Sequence, residues 1–215
     1  MSLADLAAAF RARFGAAPRL FQAPGRINII GEHTDYCGGF VLPAAIDRWC
    51  RVAAAPNDRG TLRVASATLG EAAELDLAAL VRRGDWTDYV AGVAATLLAA
   101  GVPVTGADLL IESDVPMGAG VSSSAALEVA VVLALLALAG RTADGRQVAL
   151  WAQAAENDFV GVPCGIMDQF ASANGVAGGA VMLDCRSLEA TPAHLPPDAR
   201  FLLVHSMAER RLASG

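Results

Sequence analysis

The run from residue 106 to residue 139 constrains the fold more than any other part of this 215-residue chain. It begins with a short apolar segment, residues 106–112, which predicts a buried strand. A turn rich in glycine and serine follows, and a long helix is predicted from about Ser123. The longest apolar run, residues 129–139, falls well short of the roughly 20 residues that a membrane span requires. The sequence therefore predicts a buried strand, a turn and a buried helix in that order.

The turn before that helix has the composition of an anion-binding site. Gly118 and Gly120 let the backbone approach a ligand closely, and three serines stand at the helix start. A helix N-terminus carries unpaired amide donors and a positive dipole end, so it can hold a triphosphate without a basic side chain. The pattern is neither a Walker A loop nor G-x-G-x-x-G. Taken alone, the segment favours the simpler explanation of N-cap serines in a tight turn.

The rest of the chain mixes strands and helices without a linker or an internal repeat. We predict further strands over residues 19–30, 39–55, 61–67, 179–183 and 201–205, and helices up to about residue 14, over 88–100, over 144–159 and up to 173. Strand hairpins combined with helical pairs favour an α+β fold over a doubly wound sheet. We expect one domain, with residues 209–215 resembling the opening of another helix.

Composition and charge argue against several classes of function. A net charge of −6 disfavours a dominant affinity for nucleic acid or an anionic membrane, because either would need clustered Lys and Arg. The four cysteines have no C-x-x-C spacing, so neither a zinc site nor a disulfide framework is favoured. The N-terminus lacks the basic and apolar segments of a secretory signal. We therefore expect a cytoplasmic protein with free thiols.

Residues 23–36 have the composition of a binding site where a strand runs out into a loop. They include Arg26, Glu32, His33 and Asp35 among glycines and isoleucines. Packing alone would favour apolar side chains here, and a solvated loop would not need the flanking isoleucines. The combination of a guanidinium, two carboxylates and an imidazole predicts a polar ligand.

Two carboxylates, Glu156 and Asp168, flank a turn that glycines and a proline force between two helices. Phosphoryl transfer to a hydroxyl needs a carboxylate near the nucleophile and oxygen ligands for magnesium, so the two side chains suit a division of those roles. The simpler alternative is that Asp168 caps a helix and Glu156 lies on a solvated face. The spacing leaves both alternatives open.

Together these three stretches resemble the galactokinases of the GHMP kinase superfamily. Residues 25–36 are similar to the galactokinase signature, residues 116–126 to the superfamily phosphate loop and residues 164–169 to the catalytic-aspartate segment, in the family order. Residues 85–92 and 183–189 agree as well. The resemblance implies the GHMP kinase N-terminal domain, an α+β fold similar to ribosomal protein S5 domain 2, with a mixed sheet packed with helices.

The resemblance implies transfer of the ATP γ-phosphate to the anomeric C1 hydroxyl of galactose, giving galactose 1-phosphate and ADP. Asp168 would be the catalytic carboxylate, and Arg26 would lie beside it and offset charge at the phosphoryl group. The timing of proton transfer stays open. The implied sugar-binding residues are Arg26, Glu32, His33, Asp35, Gly165 and Asp168. A structural histidine bonded to the loop backbone is the alternative for His33.

ATP and Mg²⁺ are the cofactors that the resemblance implies. The nucleotide would contact Trp86, Gly118, Ala119, Gly120, Val121, Ser122, Ser123 and Ser124. Ser124 and Glu156 would bind the magnesium ion. Trp86 is equally consistent with a place in the hydrophobic core, and His205 has no predicted role.

The resemblance covers nearly all of residues 20–215 and implies the N-terminal half of a galactokinase. Residues 1–205 would form the N-terminal domain, and residues 206–215 would start a C-terminal domain that is otherwise absent. The apolar surface that meets that domain would then favour self-association. Cys37 stands where the resemblance leads us to expect Asn, so N-acetylgalactosamine, arabinose and galacturonate remain alternative sugars. A non-catalytic sensor of galactose and ATP and an inactive fragment are further alternatives.

Overall fold

The computed structural model describes residues 1–196 and 198–204. The helices are α1 (Leu3–Phe14), α2 (Thr87–Ala99), α3 (Ser123–Leu138), α4 (Gly145–Ala154) and α5 (Met167–Asn174). The strands are β1 (Arg19–Asn28), β2 (Phe40–Val41), β3 (Pro43–Pro56), β4 (Thr61–Ser66), β5 (Glu71–Asp76), β6 (Ala107–Ser113), β7 (Gly179–Asp184) and β8 (Ala190–His194). A 3₁₀ turn spans Asp35–Cys37, and a π-helical segment, Ala155–Val160, continues α4. Over these residues no helix has the length and apolar character needed to cross a membrane.

The strands form two sheets. The larger sheet has the order β1-β3-β6-β4-β5, and its pairs are antiparallel except for the parallel pair β4 and β6. The smaller sheet has the order β2-β7-β8 and is antiparallel. A mixed sheet of this kind, combined with packed helices, confirms the α+β prediction and excludes a doubly wound parallel sheet.

Helices cover both faces of the larger sheet. Leu6 and Phe10 of α1 pack with Leu110 of β6 and neighbouring alanines on one face. On the other face, α2, α3 and α4 pack over the main core, which includes Leu109 of β6 and Val129 of α3. Because α3 is apolar around most of its circumference, it packs against strands and helices on several sides. This packing fixes the N-terminus of α3, and with it the preceding turn.

Two sequence predictions differ from the observed elements, and two observed strands were not predicted. The helix predicted over residues 144–159 changes at Ala155 to π-helical geometry and ends where Gly161 adopts a φ of 77°. The strand predicted over 201–205 is wrong for residues 201–204, which are exposed and have no strand pairing. The sequence also missed β5 and β8, the edge strands of their sheets, because β5 is rich in acidic residues and β8 contains Pro192. His205 and residues 206–215, where the second domain was predicted to begin, lie outside the described residues.

Candidate active site

Arg26 and Asp168 form a tightly connected pair, although 142 positions separate them in the sequence. Arg26 Nε donates to Asp168 Oδ1 at 2.8 Å, and Nη2 lies 2.6 Å from both carboxylate oxygens. The remaining nitrogen, Nη1, donates to the carbonyl of Gly120 at 2.8 Å. A planar guanidinium suits this arrangement because its donors form a rigid fork. One side chain therefore joins β1, the glycine turn and α5.

Gly25 allows β1 to approach the glycine turn this closely. The register of β1 with β3 shifts between Pro24 and Arg26, and such an irregularity redirects the following side chain. A Cβ at position 25 would lie 2.7 Å from the Val121 carbonyl and 2.9 Å from the Val115 side chain. The Arg26 amide then donates to the same Val121 carbonyl at 3.1 Å. Glycine is required here for close approach rather than for an unusual φ.

The turn before α3 has an unusual backbone. Gly118, Gly120 and Ser122 have φ values of 70°, 74° and 60°, a region that residues other than glycine rarely adopt. Ser122 occupies the N-cap position of α3, yet its side chain makes no capping hydrogen bond. Its hydroxyl instead donates to Asp168 Oδ2 at 2.5 Å. The simple N-cap explanation is therefore wrong for Ser122, and the first amides of α3 are left without a cap from this side chain.

Glu156 is buried rather than solvated, with 4% of its surface exposed. Gln169 Nε2 lies between two carboxyl groups, 2.6 Å from Glu156 Oε2 and 3.1 Å from Glu128 Oε2. Burial raises the pKa of Glu156, and a hydrogen bond from Ser124 is among the contacts that oppose this rise. The solvated-face alternative for Glu156 is therefore wrong. The helix-cap alternative for Asp168 also fails, since its side chain binds Arg26 and Ser122.

Ser124 and Glu156 fit part of a magnesium site. A hydroxyl and a carboxylate are hard oxygen ligands, and a magnesium ion commonly takes only one or two ligands from protein and the rest from phosphates and water. Across residues 1–196 and 198–204, no group of three or more His, Cys, Asp and Glu side chains has the arrangement to hold a metal by itself. The donor set thus suits an ion that arrives with a nucleotide.

A cavity of about 250 Å³ lies beside the start of α3. Its lining includes Trp86, Tyr89, Met117, Ser123 and Ser124. The indole nitrogen of Trp86 donates to Glu71 at 2.7 Å, and the ring also packs against the main core. Burial raises the pKa of Tyr89 to about 12, so its phenol keeps its proton at neutral pH. Trp86 therefore both packs on the core and lines this cavity.

The predicted sugar-binding residues lie in two different environments. Glu32 and His33 are exposed on the loop after β1, and Asn28 Nδ2 donates to Glu32 Oε1 at 3.1 Å. In the described part of the chain, His33 has no hydrogen bond to the loop backbone, so the structural alternative for it is wrong; its ring contacts Tyr36. Asp35 packs against Gly165, where an added Cβ would overlap the Asp35 carboxylate.

Sequence reasoning missed Asn28, Glu128 and Gln169. A carboxylate within the apolar stretch of α3 was the available signal for Glu128, which is fully buried. Gln169 directly follows Asp168, and Asn28 ends β1 four residues before Glu32. Folding brings Asn28 into contact with Glu32, and it brings Gln169 into contact with Glu156 and Glu128.

Comparisons with known proteins show which sequences this chain is similar to. The galactokinase galactose-binding signature matches residues 8–56, and the GHMP kinases N terminal domain matches residues 88–176. The chain is 49% identical over 214 residues to a galactokinase of Chloroflexus aurantiacus, covering 98% of this chain and 55% of that protein. A galactokinase of Roseiflexus sp. is 45% identical over 212 residues, with coverages of 98% and 54%. The chain thus spans about half the length of the curated relatives it matches.

Solved structures show the same relationship. Lactococcus lactis galactokinase complexed with galactose superposes with a TM-score of 0.85 and 35% sequence identity, covering 90% of this chain and 52% of that chain. Methanococcus jannaschii mevalonate kinase superposes with a TM-score of 0.69 at 16% identity, covering 85% and 57%, and shares the fold alone. In both signatures, in sequence and in fold, the chain is therefore similar to about half of a galactokinase of the GHMP kinase superfamily.

Proposed function

We propose that this chain carries the phosphoryl-transfer centre of an ATP-dependent galactose 1-kinase. The observation that carries the proposal is the guanidinium of Arg26, which donates to Asp168 and to the carbonyl of Gly120 in the glycine turn. A carboxylate, a cation and a helix N-terminus are thereby held together, and transfer from ATP to a hydroxyl depends mainly on such positioning and on charge stabilisation. Similarity to the galactokinases supports the same reaction.

In the proposed reaction, the C1 hydroxyl oxygen of galactose attacks the γ-phosphorus of ATP. A bond forms between that oxygen and phosphorus, while the bond from phosphorus to the β,γ-bridging oxygen breaks and ADP leaves with the electron pair. Asp168 accepts the hydroxyl proton and later releases it to water. Arg26 holds the carboxylate and offsets negative charge that develops on the transferring group.

The proposal assigns the nucleotide to the turn and the neighbouring cavity. Backbone amides of residues 118–124 bind the phosphates, and the base enters the cavity beside Trp86. Ser124 and Glu156 would hold Mg²⁺, and the ion would supply positive charge that offsets the charge of the phosphates. We keep a cytoplasmic location as a prediction, in line with the four free cysteines.

Galactose is the proposed sugar because residues 29–36, the loop that ends the galactokinase signature and is here named the signature loop, carry groups that hydrogen-bond a polyol. Glu32, His33, Asp35 and Gly165 form this part of the proposal, and the solved relative from Lactococcus lactis is a complex with galactose. Residues 1–205 remain our proposed domain. Calorimetric titration with galactose, N-acetylgalactosamine, arabinose and galacturonate ranks the sugars, and tighter binding of another sugar would overturn the choice of galactose.

Self-association is also proposed, because Ile30, Tyr36 and Phe40 are 67%, 63% and 64% exposed. We expect the mean mass in light scattering to rise with protein concentration. A single monomer peak at high concentration would contradict this.

Galactose-dependent ADP release tests the proposed activity. The 215-residue chain is incubated with ATP, Mg²⁺ and galactose, and Asp168→Asn serves as the control for contaminating kinase. Turnover that disappears in the variant supports the proposal. Binding of galactose and ATP without turnover would instead support a sensor, and binding of neither would contradict both functions for this chain.

A further inference from the structure

The carboxylate of Asp168 has no free position for a substrate hydroxyl in this structure. Oδ1 accepts from Arg26 Nε and Nη2, while Oδ2 accepts from Arg26 Nη2 and Ser122 Oγ. A carboxylate offers about four lone-pair sites, and these contacts use them. A sugar hydroxyl that donates to Asp168 must therefore displace one of the present donors.

Ser122 is the donor that can leave most easily. The Arg26 side chain is only 12% exposed, carries a charge and is also held by the carbonyl of Gly120. The Ser122 hydroxyl is neutral and can turn about its own bonds to another acceptor. It gives up no capping bond of α3 when it does so. The Asp168 side chain is 27% exposed, so a ligand can reach it.

The position of Ser122 also indicates its second acceptor. Ser122 lies in the turn whose amides are proposed to bind phosphate, directly before the first residue of α3. Its left-handed φ of 60° belongs to a region that serine rarely adopts, and such backbone conformations concentrate at functional sites. A phosphate oxygen held by the amides of this turn would lie within the reach of a short hydroxyl side chain.

We propose that the Ser122 hydroxyl is a positioning group that exchanges its acceptor when nucleotide binds. Without nucleotide it donates to Asp168 Oδ2; with nucleotide it turns to a phosphate oxygen, and Oδ2 becomes open to the sugar hydroxyl. The serine keeps its proton throughout, and only its acceptor changes. The inference rests on the proposed function and extends it, because it couples nucleotide binding to sugar binding through one side chain.

The coupling is measured by calorimetric titration of galactose into the full chain, with and without Mg²⁺ and a non-hydrolysable ATP analogue. For the wild type we expect the analogue to tighten galactose binding by about 5-fold or more, within the usual range for coupled sites. Ser122→Ala removes the donor, so galactose should bind tightly without the analogue, and the ratio of the two affinities should fall close to 1. An unchanged ratio in Ser122→Ala, or no coupling in a wild type that binds both ligands, would overturn the proposal.

Two control variants separate the hydroxyl from general structural effects. Ser172 lies four residues after Asp168, and its buried hydroxyl donates to the Pro24 carbonyl at 2.7 Å without touching the carboxylate. Ser172→Ala should therefore keep the wild-type ratio. Ser122→Gly also lacks the hydroxyl but relaxes the left-handed backbone. It should match Ser122→Ala, and a clear difference between the two would assign the effect to backbone strain and contradict the proposal.

A double-mutant cycle tests the resting contact without any ligand. Denaturant midpoints are measured for Ser122→Ala, Asp168→Ala and the combined variant, because alanine removes the acceptor that asparagine would keep. Interacting side chains give non-additive shifts, which supports the contact, whereas additive shifts overturn it. If the wild type binds neither galactose nor nucleotide, the proposed function fails for this chain, while the cycle still decides whether Ser122 holds Asp168.

Discussion

The proposed transfer centre, Arg26 with Asp168, and the signature loop are built in different ways. Arg26 and Asp168 are held by hydrogen bonds that join β1, the glycine turn and α5. Glu32 and His33 are exposed, and the hydrogen bond from Asn28 is the contact that positions Glu32. Preorganised groups accelerate a chemical step, whereas groups that become ordered with the ligand act mainly on binding. Substitutions in the first region should therefore change kcat, and substitutions in the second should change KM and the choice of sugar.

Among the variants that test this difference, Asp168→Asn should give the largest change, and that change should be in kcat. Asparagine keeps the shape of the side chain but is not a base at neutral pH, so kcat should fall by about 10²–10⁴-fold. Galactose affinity should change only a few-fold. Steady-state kinetics and titration calorimetry measure the two quantities. Asp144→Asn is a matched control, because Asp144 caps α4 and asparagine caps a helix equally well. A large loss of sugar affinity with unchanged kcat would reverse the assignment.

Arg26→Lys should give the next largest effect. Lysine keeps the positive charge but lacks the planar fork, so it cannot serve both Asp168 and the Gly120 carbonyl. We expect kcat to fall by about 10²-fold, the loss typical of removing one preorganised donor. Arg19→Lys, on the exposed part of the same strand, controls for the exchange itself. Retention of wild-type kcat in Arg26→Lys would show that charge alone suffices.

Gly165→Ala should instead act through the signature loop. The added Cβ would overlap the Asp35 carboxylate and displace it. Loss of one charge-assisted hydrogen bond to the sugar, about 1.5 kcal/mol, corresponds to roughly a tenfold rise in KM for galactose. The value of kcat should change less. Asp35→Ala should raise KM similarly, and the double variant should be no worse than either single one. Additive losses would mean that Gly165 acts separately from Asp35.

Glu128→Gln should have the smallest effect on activity and a measurable effect on stability. Burial raises the pKa of Glu128 well above its ordinary value of 4.5, and the neighbouring Glu156 raises it further. The folded state therefore keeps this proton where the unfolded chain has lost it, so stability falls as pH rises above about 4.5 toward the raised pKa. Glutamine does not titrate, so this loss of stability with rising pH should be absent in the variant. The melting temperature of Glu128→Gln relative to wild type should thus rise between pH 5 and pH 8.

The exposed Glu189→Gln controls for the loss of one carboxylate. An identical pH dependence of melting in the wild type and Glu128→Gln would mean that the Glu128 carboxyl is not a source of pH-dependent instability.

Local patterns predicted the parts of the fold that carry a strong apolar signal, such as β6 and α3. They missed β5 and β8, where pairing at a sheet edge outweighs acidic residues and a proline. Within the candidate site, the contact between Arg26 and Asp168, which are 142 positions apart, was predicted only from the family resemblance. No pattern predicted the hydrogen bond from Ser122 to Asp168. That contact depends on a left-handed backbone conformation at Ser122 and on the packing of α5.

The most direct test of a transfer centre for galactose is the identity of the product. The chain is incubated with galactose, ATP and Mg²⁺, and phosphorus NMR follows the fate of the γ-phosphate. We predict a sugar phosphate whose phosphorus couples to the anomeric proton, formed in equal amount to ADP, and formed at least about 10²-fold more slowly with Asp168→Asn. Free phosphate alone, or a phosphate on another carbon of the sugar, would contradict it.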